Sequence, residues 1–176
     1  MFTLHHGFWM YFLTRHHAKV WQFVIGSMLP DYVYIFVLGI MLFHGKISWQ
    51  DLLHLNPAAM MSILPLFPWA MQMDLVGHSV IFWGIGFLMT LLPVPVLGRL
   101  RFFSVGWGTH LFVDELTHGA HANYFFYPLS LYSIHSTVSY WEAGYFAKEF
   151  NWVNGTLMGI TGIYLVSRWW KKKKLK

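Results

Sequence analysis

The sequence predicts an all-α, polytopic helical membrane protein with about four spanning helices and several short re-entrant or interfacial helices. Hydrophobic residues occupy 56% of the 176 positions and charged residues only 11%. A soluble domain usually carries roughly 25% charged residues, so this chain has too few charges to cover a soluble surface. Aromatic residues make up 20% and include ten Trp, a residue that favours membrane interfaces.

Four apolar segments have about the length that crosses the hydrocarbon layer of a bilayer, which takes about 20 residues. They cover residues 20–43, interrupted by Pro30 and Asp31, and residues 79–97, 100–118 and 155–170. A shorter run, residues 57–73, contains three prolines and is predicted to be re-entrant, interfacial or a kinked span. The aromatic segment 4–13 is predicted to be a short helix that dips into the membrane.

Basic residues precede the first span, separate the second from the third and follow the fourth: Arg15, Lys19, Arg99, Arg101 and the lysines of residues 171–176. If residues 57–73 do not cross, the positive-inside rule places all of them in the cytoplasm. We therefore expect one membrane-embedded domain, residues 1–170, and a basic cytoplasmic tail, residues 171–176. Because the lysine block follows an apolar run, its expected partner is the anionic surface of the lipid bilayer and not nucleic acid.

The chain has no cysteine, which excludes disulfides and thiolate metal sites. A metal would have to be held by His nitrogen and carboxylate oxygen atoms, a donor set that suits zinc, manganese or iron. No glycine-rich phosphate loop, Gly-x-Ser-x-Gly elbow or His-Glu-x-x-His motif is present. The candidate chemistry therefore rests on His and Asp residues placed inside apolar segments.

The strongest pattern of this kind is His110, Asp114 and His118, spaced four residues apart. On a helix these residues share one face over successive turns. Ionisable side chains inside a membrane segment are costly and are usually functional, so we expect metal binding by His110 and Asp114. His118 is a further candidate ligand, although Gly119 can end the helix beside it. The alternative interpretation is that these side chains only form hydrogen bonds between helices.

Two other candidates lie at breaks in the apolar segments. Asp31 follows Pro30, whose kink could direct the carboxylate into the bundle as a ligand; alternatively, it only satisfies freed backbone groups. His78 lies four residues after Asp74 and is expected to bind metal while Asp74 orients it. The alternative is that Asp74 caps the helix that contains His78 and that His78 is an interface residue.

The remaining candidates are histidines near the N-terminus and after the third span. His5 and His6 are adjacent, so on a helix they face different ways and only one of them is expected to serve a site. His121 is close enough to His118 in sequence to approach the same site.

In chain order, the candidate motifs are a histidine at His5 or His6, Gly-Ser-Met-Leu-Pro-Asp ending at Asp31, Gly77-His78-Ser79, His110-x-x-x-Asp114 with Thr117, and Tyr127-Pro128. This order resembles the membrane-bound metal-dependent hydrolases of bacteria, the LexA-regulated inner-membrane hydrolase group. That group is similar to the zinc-dependent phospholipase C and single-strand nuclease superfamily. The resemblance covers roughly residues 5–130.

The resemblance implies a metal ligand set of His, Asp, His, His and Asp, which falls on His5 or His6 (with His5 preferred), Asp31, His78, His110 and Asp114. It implies a bacterial plasma-membrane hydrolase with one or two divalent transition-metal ions, zinc before manganese or iron. The substrate would be a phosphoester such as a phospholipid, cleaved by metal-activated water. The catalytic residues would be Asp31 and Asp114, one bridging two ions and the other taking a proton.

Two positions depart from this family pattern. Many relatives carry a second acid where this chain has Val33, and Leu75, Val76 and Gly77 precede His78 where relatives often carry Arg-Gly. His118 is not part of the usual pattern and could compensate.

Two other functions are compatible with the same residues. One is a non-enzymatic membrane carrier of metal ions or protons, because intramembrane His and Asp residues also mark such pathways. Another is a degenerate relative that binds a metal only for stability. Ligands spread over the whole membrane depth would favour a carrier, whereas ligands clustered beside an open pocket would favour hydrolysis.

Overall fold

The computed structural model describes residues 2–120 and 123–174. Within these ranges the chain forms ten α-helices, two short 3-10 helices and no strand, so the all-α prediction is confirmed for them. The α-helices are α1 (Thr3–Thr14), α2 (Val20–Met28), α3 (Tyr32–Phe43), α4 (Trp49–His54), α5 (Pro57–Ile63), α6 (Pro68–Gly77), α7 (Val80–Met89), α8 (Pro95–Arg99), α9 (Arg101–Glu115) and α10 (Ala147–Lys174). The 3-10 helices are Leu64–Leu66 and Ala143–Tyr145.

The segments predicted to supply about four spanning helices form helices that differ from that expectation in length or apolar character. Among the helices of the described residues, none is by itself both long enough and apolar enough to cross a membrane. Two bent pairs meet that requirement by length and composition: α2 with α3, bent by 65°, and Ala59–Leu66 with α6, bent by 118°. The predicted span 79–97 ends early because its prolines interrupt the helix, which leaves α7 with ten residues.

Helix α2 packs against both α1 and α9. Two glycines make the contact between α2 and α9 close. A Cβ atom at Gly26 would collide with the carbonyl of Phe103, and one at Gly106 would collide with the carbonyl of Phe23. Glycine at both positions lets the two backbones touch, as small residues do in membrane helix pairs.

The apolar core is small and lies between α3 and α6. It consists of Val33, Val37, Leu64 and Ala70. Val33, where the resemblance would place a second acid, is therefore an apolar core residue that is 2% exposed.

Most of the interior is polar. In the described part of the chain, fourteen buried side chains are polar or charged and nine are apolar. Large apolar side chains are instead exposed, among them Trp152, Leu157, Ile160 and Ile163 of α10. The described part of α10 therefore exposes large apolar side chains along its length.

The segment after α9 is tied to the start of α7. The Ser79 hydroxyl accepts hydrogen bonds from the backbone N–H groups of Ile81 and Phe82, which caps α7. It also donates to the carbonyl of Tyr127. Ser79 and Tyr127 are 48 residues apart in the sequence, and this hydrogen bond joins the two motifs that contain them. His78 directly precedes Ser79 in the chain.

Candidate metal centre

Five of the predicted ligand residues meet in the interior. His6 comes from α1, Asp31 from the break between α2 and α3, His78 from the turn after α6, and His110 and Asp114 from α9. Each is buried, with exposed fractions from 0% for His110 to 6% for Asp31. Four separate parts of the chain therefore contribute to one cluster.

The cluster contains two overlapping groups of potential ligand atoms. His6, Asp31 and His110 form one, and His78, His110 and Asp114 form the other; within each group one ligand atom per residue lies within 4.8 Å of the others. His110 belongs to both, and its Nε2 atom lies 3.3 Å from Asp114 Oδ2 and 3.7 Å from Asp31 Oδ1. The arrangement could hold one ion, or two ions that share His110.

Backbone carbonyl groups determine which nitrogen of two histidines faces the centre. The Nδ1 atom of His110 lies 2.8 Å from the carbonyl oxygen of Ser27, and that of His78 lies 3.0 Å from the carbonyl oxygen of Asp74. A carbonyl oxygen only accepts hydrogen bonds, so both Nδ1 atoms carry the proton and donate it. In the neutral rings, both Nε2 atoms then present a lone pair to the cluster.

These two Nε2 atoms are 3.2 Å apart. Either one of the two nitrogens carries a proton and donates it to the other, or both lone pairs face a metal cation. Asp31 and Asp114 add negative charge at the same place, with Asp31 Oδ1 3.7 Å and Asp114 Oδ2 3.8 Å from His78 Nε2. A buried site with facing lone pairs and two carboxylates has the charge and donor set that a divalent transition metal requires.

His6, and not His5, faces the cluster. Its Nε2 atom lies 3.0 Å from Asp114 Oδ1, and its ring stacks on His110 with 4.0 Å between ring centroids. Burial lowers the pKa of His6 to about 4, and His110 adds to this effect while Asp114 opposes it. The ring is therefore neutral near pH 7, as a metal ligand must be.

The preference for His5 is thus revised. The Nδ1 atom of His5 accepts a hydrogen bond from the side-chain amide of Asn154 at 3.1 Å. This contact turns the ring towards α10 and away from the cluster, and His5 belongs to neither group of ligand atoms. The physical reason is that α1 packs against α2 with the His6 face.

His118 lies beside the cluster but outside both groups of ligand atoms. Its Nδ1–H donates to the backbone carbonyl of Asp114 at 2.8 Å, and its ring meets Tyr140 edge-on, with 5.2 Å between centroids. The structure therefore places His118 in the wall of a cavity next to the predicted site. His121 lies outside the described residues.

Asp74 is in the last turn of α6, so it does not cap the N-terminus of a helix. Its Oδ1 atom lies 3.1 Å from His78 Nδ1, which is the contact expected of a residue that orients a ligand. Tyr34, whose hydroxyl donates to this Oδ1 atom at 2.6 Å, was not among the predicted site residues. It lies one helical turn after Asp31 on α3, and that spacing is the signal that could have identified it.

Two cavities open on the cluster. The first, of about 230 Å³, has Asp31, His78 and Asp114 in its wall and a second part lined by apolar side chains. Those apolar residues are Ile35, Leu38, Leu55, Met60 and Met61. The second cavity, of about 300 Å³, is lined by Asp74, Tyr124 and Ser133 and shares Met61, His78 and Asn123 with the first. Among the described residues neither wall contains Lys or Arg.

Comparisons of this chain with protein-family models, with curated proteins and with solved structures find no match. Membership of the family suggested by the order of the motifs therefore stays a prediction. What this chain has in common with the all-helical zinc-dependent phospholipase C-like enzymes is a set of buried His and Asp groups that could bind metal, carried on helices.

Proposed function

We propose that this protein is a membrane-embedded metal-dependent hydrolase that cleaves a phosphoester, such as that of a phospholipid. The observation that carries the proposal is the pair of Nε2 atoms of His78 and His110, 3.2 Å apart, with a carboxylate oxygen of Asp114 3.3 Å from one of them. Two imidazole nitrogens and a carboxylate oxygen this close together form a donor set that a divalent transition metal would bind.

The donor set of three imidazoles and two carboxylates suits zinc best, with manganese or iron as alternatives. A bound ion would supply two effects, lowering the pKa of a water molecule and neutralising negative charge on phosphoryl oxygens. His6, His78 and His110 would hold the ion or ions. A carboxylate oxygen of Asp31 or Asp114 that is not engaged in this way can take the proton from the attacking water.

The first cavity supports an amphiphilic substrate. Its polar end lies at Asp31 and Asp114, and its apolar end lies between α3 and α5, against Leu38 and Met60. A phosphoester could contact the polar end while a hydrocarbon group occupies the apolar end. The lack of Lys and Arg among the described lining residues means that a metal ion would have to neutralise the phosphate.

The polar interior and the exposed apolar helices support a membrane location. We propose the bacterial plasma membrane, with the C-terminus in the cytoplasm. Lys171, Lys172, Lys173 and Lys174 end α10 directly after two exposed tryptophans, Trp169 and Trp170. A tryptophan pair followed by lysines is typical of a helix end at the cytoplasmic interface of a bilayer.

The alternative of a metal-ion or proton carrier has less support. A carrier would distribute its ligands along a path, whereas the five candidate ligands of this chain converge on His110, beside the first cavity. A degenerate relative with a structural metal would retain the same ligands, so only an activity measurement separates it from a hydrolase.

The test is hydrolysis of a phospholipid in mixed micelles by purified protein that has been stripped of metal and then reloaded with zinc. We expect release of a phosphorylated headgroup by the zinc-loaded protein, loss of release in the stripped protein, and loss in Asp31→Asn. Zinc-loaded protein that binds the ion but cleaves no faster than stripped protein would refute the hydrolase. Zinc flux by the same protein in vesicles would favour the carrier.

A further inference from the structure

Tyr34, Asp74 and His78 form a chain of contacts behind the metal centre. The Tyr34 hydroxyl on α3 donates to Asp74 Oδ1 on α6 at 2.6 Å. The same Oδ1 atom lies 3.1 Å from Nδ1 of His78. Tyr34 on α3 is thus connected, through Asp74 on α6, to His78, whose Nε2 atom faces the candidate metal centre.

The Nδ1–H group of His78 faces two acceptors of different kinds, a backbone carbonyl and a carboxylate. The Nδ1–H of His78 points between the backbone carbonyl of Asp74, 3.0 Å away, and Oδ1 of the same residue. The carbonyl fixes the tautomer, and the carboxylate adds a charge-assisted contact that fixes the plane of the ring. Without a second partner, the carboxylate could rotate about its own side chain, and the Tyr34 hydroxyl provides that partner.

We propose that Tyr34 and Asp74 are positioning residues that hold His78 in the orientation and tautomer needed to bind metal. The inference rests on the proposed metal-dependent function and goes beyond it, since neither residue belongs to a group of candidate ligand atoms. Partners of this kind also make the bound imidazole a better donor, and their removal typically weakens metal binding by about 10- to 100-fold.

The experiment measures zinc affinity by competition with a chromophoric chelator for the wild type, Tyr34→Phe, Asp74→Asn and the double variant. Tyr34→Phe keeps the ring and removes only the hydroxyl, so we expect on the order of tenfold weaker binding. Because Tyr34 acts through Asp74, the loss in the double variant should be smaller than the product of the two single losses.

Tyr32→Phe is the matched control. Tyr32 lies on the same helix but lines a different cavity, together with Pro30 and Trp107. The same loss of a hydroxyl at that position should leave zinc affinity unchanged. Without metal, Tyr34→Phe should melt at a lower temperature than Tyr32→Phe because it loses the hydrogen bond to Asp74, so zinc affinity is compared at a temperature where both variants are folded.

The absorption spectrum of a cobalt-substituted sample distinguishes a positioning role of Tyr34 from a purely structural one, which would leave the spectrum unchanged. The visible absorption bands of Co²⁺ depend on the ligand field, so Tyr34→Phe should shift them while Tyr32→Phe should not. A wild-type protein that binds zinc, with affinity and cobalt spectrum both unchanged in Tyr34→Phe, overturns this inference and leaves the proposed function standing. A wild-type protein that does not bind zinc overturns both.

Discussion

Asp114 is the residue whose replacement tests the candidate metal centre most directly. Its two carboxylate oxygens lie 3.0 Å from His6 Nε2, 3.3 Å from His110 Nε2 and 3.8 Å from His78 Nε2. It therefore contacts every candidate imidazole ligand. Asp114→Asn keeps the shape and one acceptor oxygen but removes the charge that would offset a cation.

The size of the effect follows from linkage between binding and folding. Free zinc at 100 times its dissociation constant stabilises the native state by about 2.7 kcal/mol. For a chain of this length each kcal/mol moves the melting temperature by about 2–4 °C, so zinc should raise the wild-type value by roughly 5–11 °C. In Asp114→Asn we expect no tight zinc binding and little or no rise of the melting temperature on addition of zinc. Without zinc, the variant should be as stable as the wild type or more so, because asparagine keeps the shape and one acceptor oxygen and removes a charge that is costly to bury.

The assay is thermal unfolding followed by tryptophan fluorescence, with and without zinc, alongside the metal content of each protein. Asp51→Asn is the matched control. Asp51 is exposed and belongs to the capping box of α4 with Ser48, so its replacement should leave the zinc-dependent rise intact. If Asp114→Asn retains full metal content and the full rise, the ligands lie elsewhere and the assignment of His110-x-x-x-Asp114 is refuted.

Three further predictions address the rest of the molecule. Purified wild-type protein supplied with zinc or manganese should carry one or two ions per chain by elemental analysis, and less than about a tenth of an ion would contradict the metal centre. A reporter fused after residue 176 should be active only in the cytoplasm; activity only on the external side would reverse the proposed orientation. Gly106→Ala should destabilise by about 1–3 kcal/mol in an unfolding titration, because its Cβ meets the carbonyl of Phe23. Gly155→Ala, where a Cβ meets nothing within 4 Å, should be neutral or stabilising, and equal effects at the two glycines would contradict the close packing of α2 on α9.

Much of the candidate site was predictable because it depends on local spacing. His110 and Asp114 are one helical turn apart, so any helix through them places both on one face. Asp31 follows a proline that interrupts an apolar run, and a charged residue at such a position is costly unless it has a partner. Neither inference requires knowledge of which helices are neighbours.

The lengths of the helices in the apolar segments were predicted less well. An apolar segment such as residues 79–97 has the composition of a span, but its prolines divide it into α7 and α8. Likewise, residues 20–43 form two helices with a 65° bend between them. The composition of a sequence window does not predict the angle between two successive helices.

The sequence by itself determined the helical class, the excess of apolar over charged residues and the donor types that a metal could use. Tertiary structure alone decided which histidine of the N-terminal pair faces the site, because that depends on the face of α1 that packs on α2. It also decided that Tyr34 supports His78 through Asp74, a contact between residues 40 positions apart in the chain. Such pairings follow from helix packing, where a side chain's partner is set by the crossing of two helices and not by distance along the sequence.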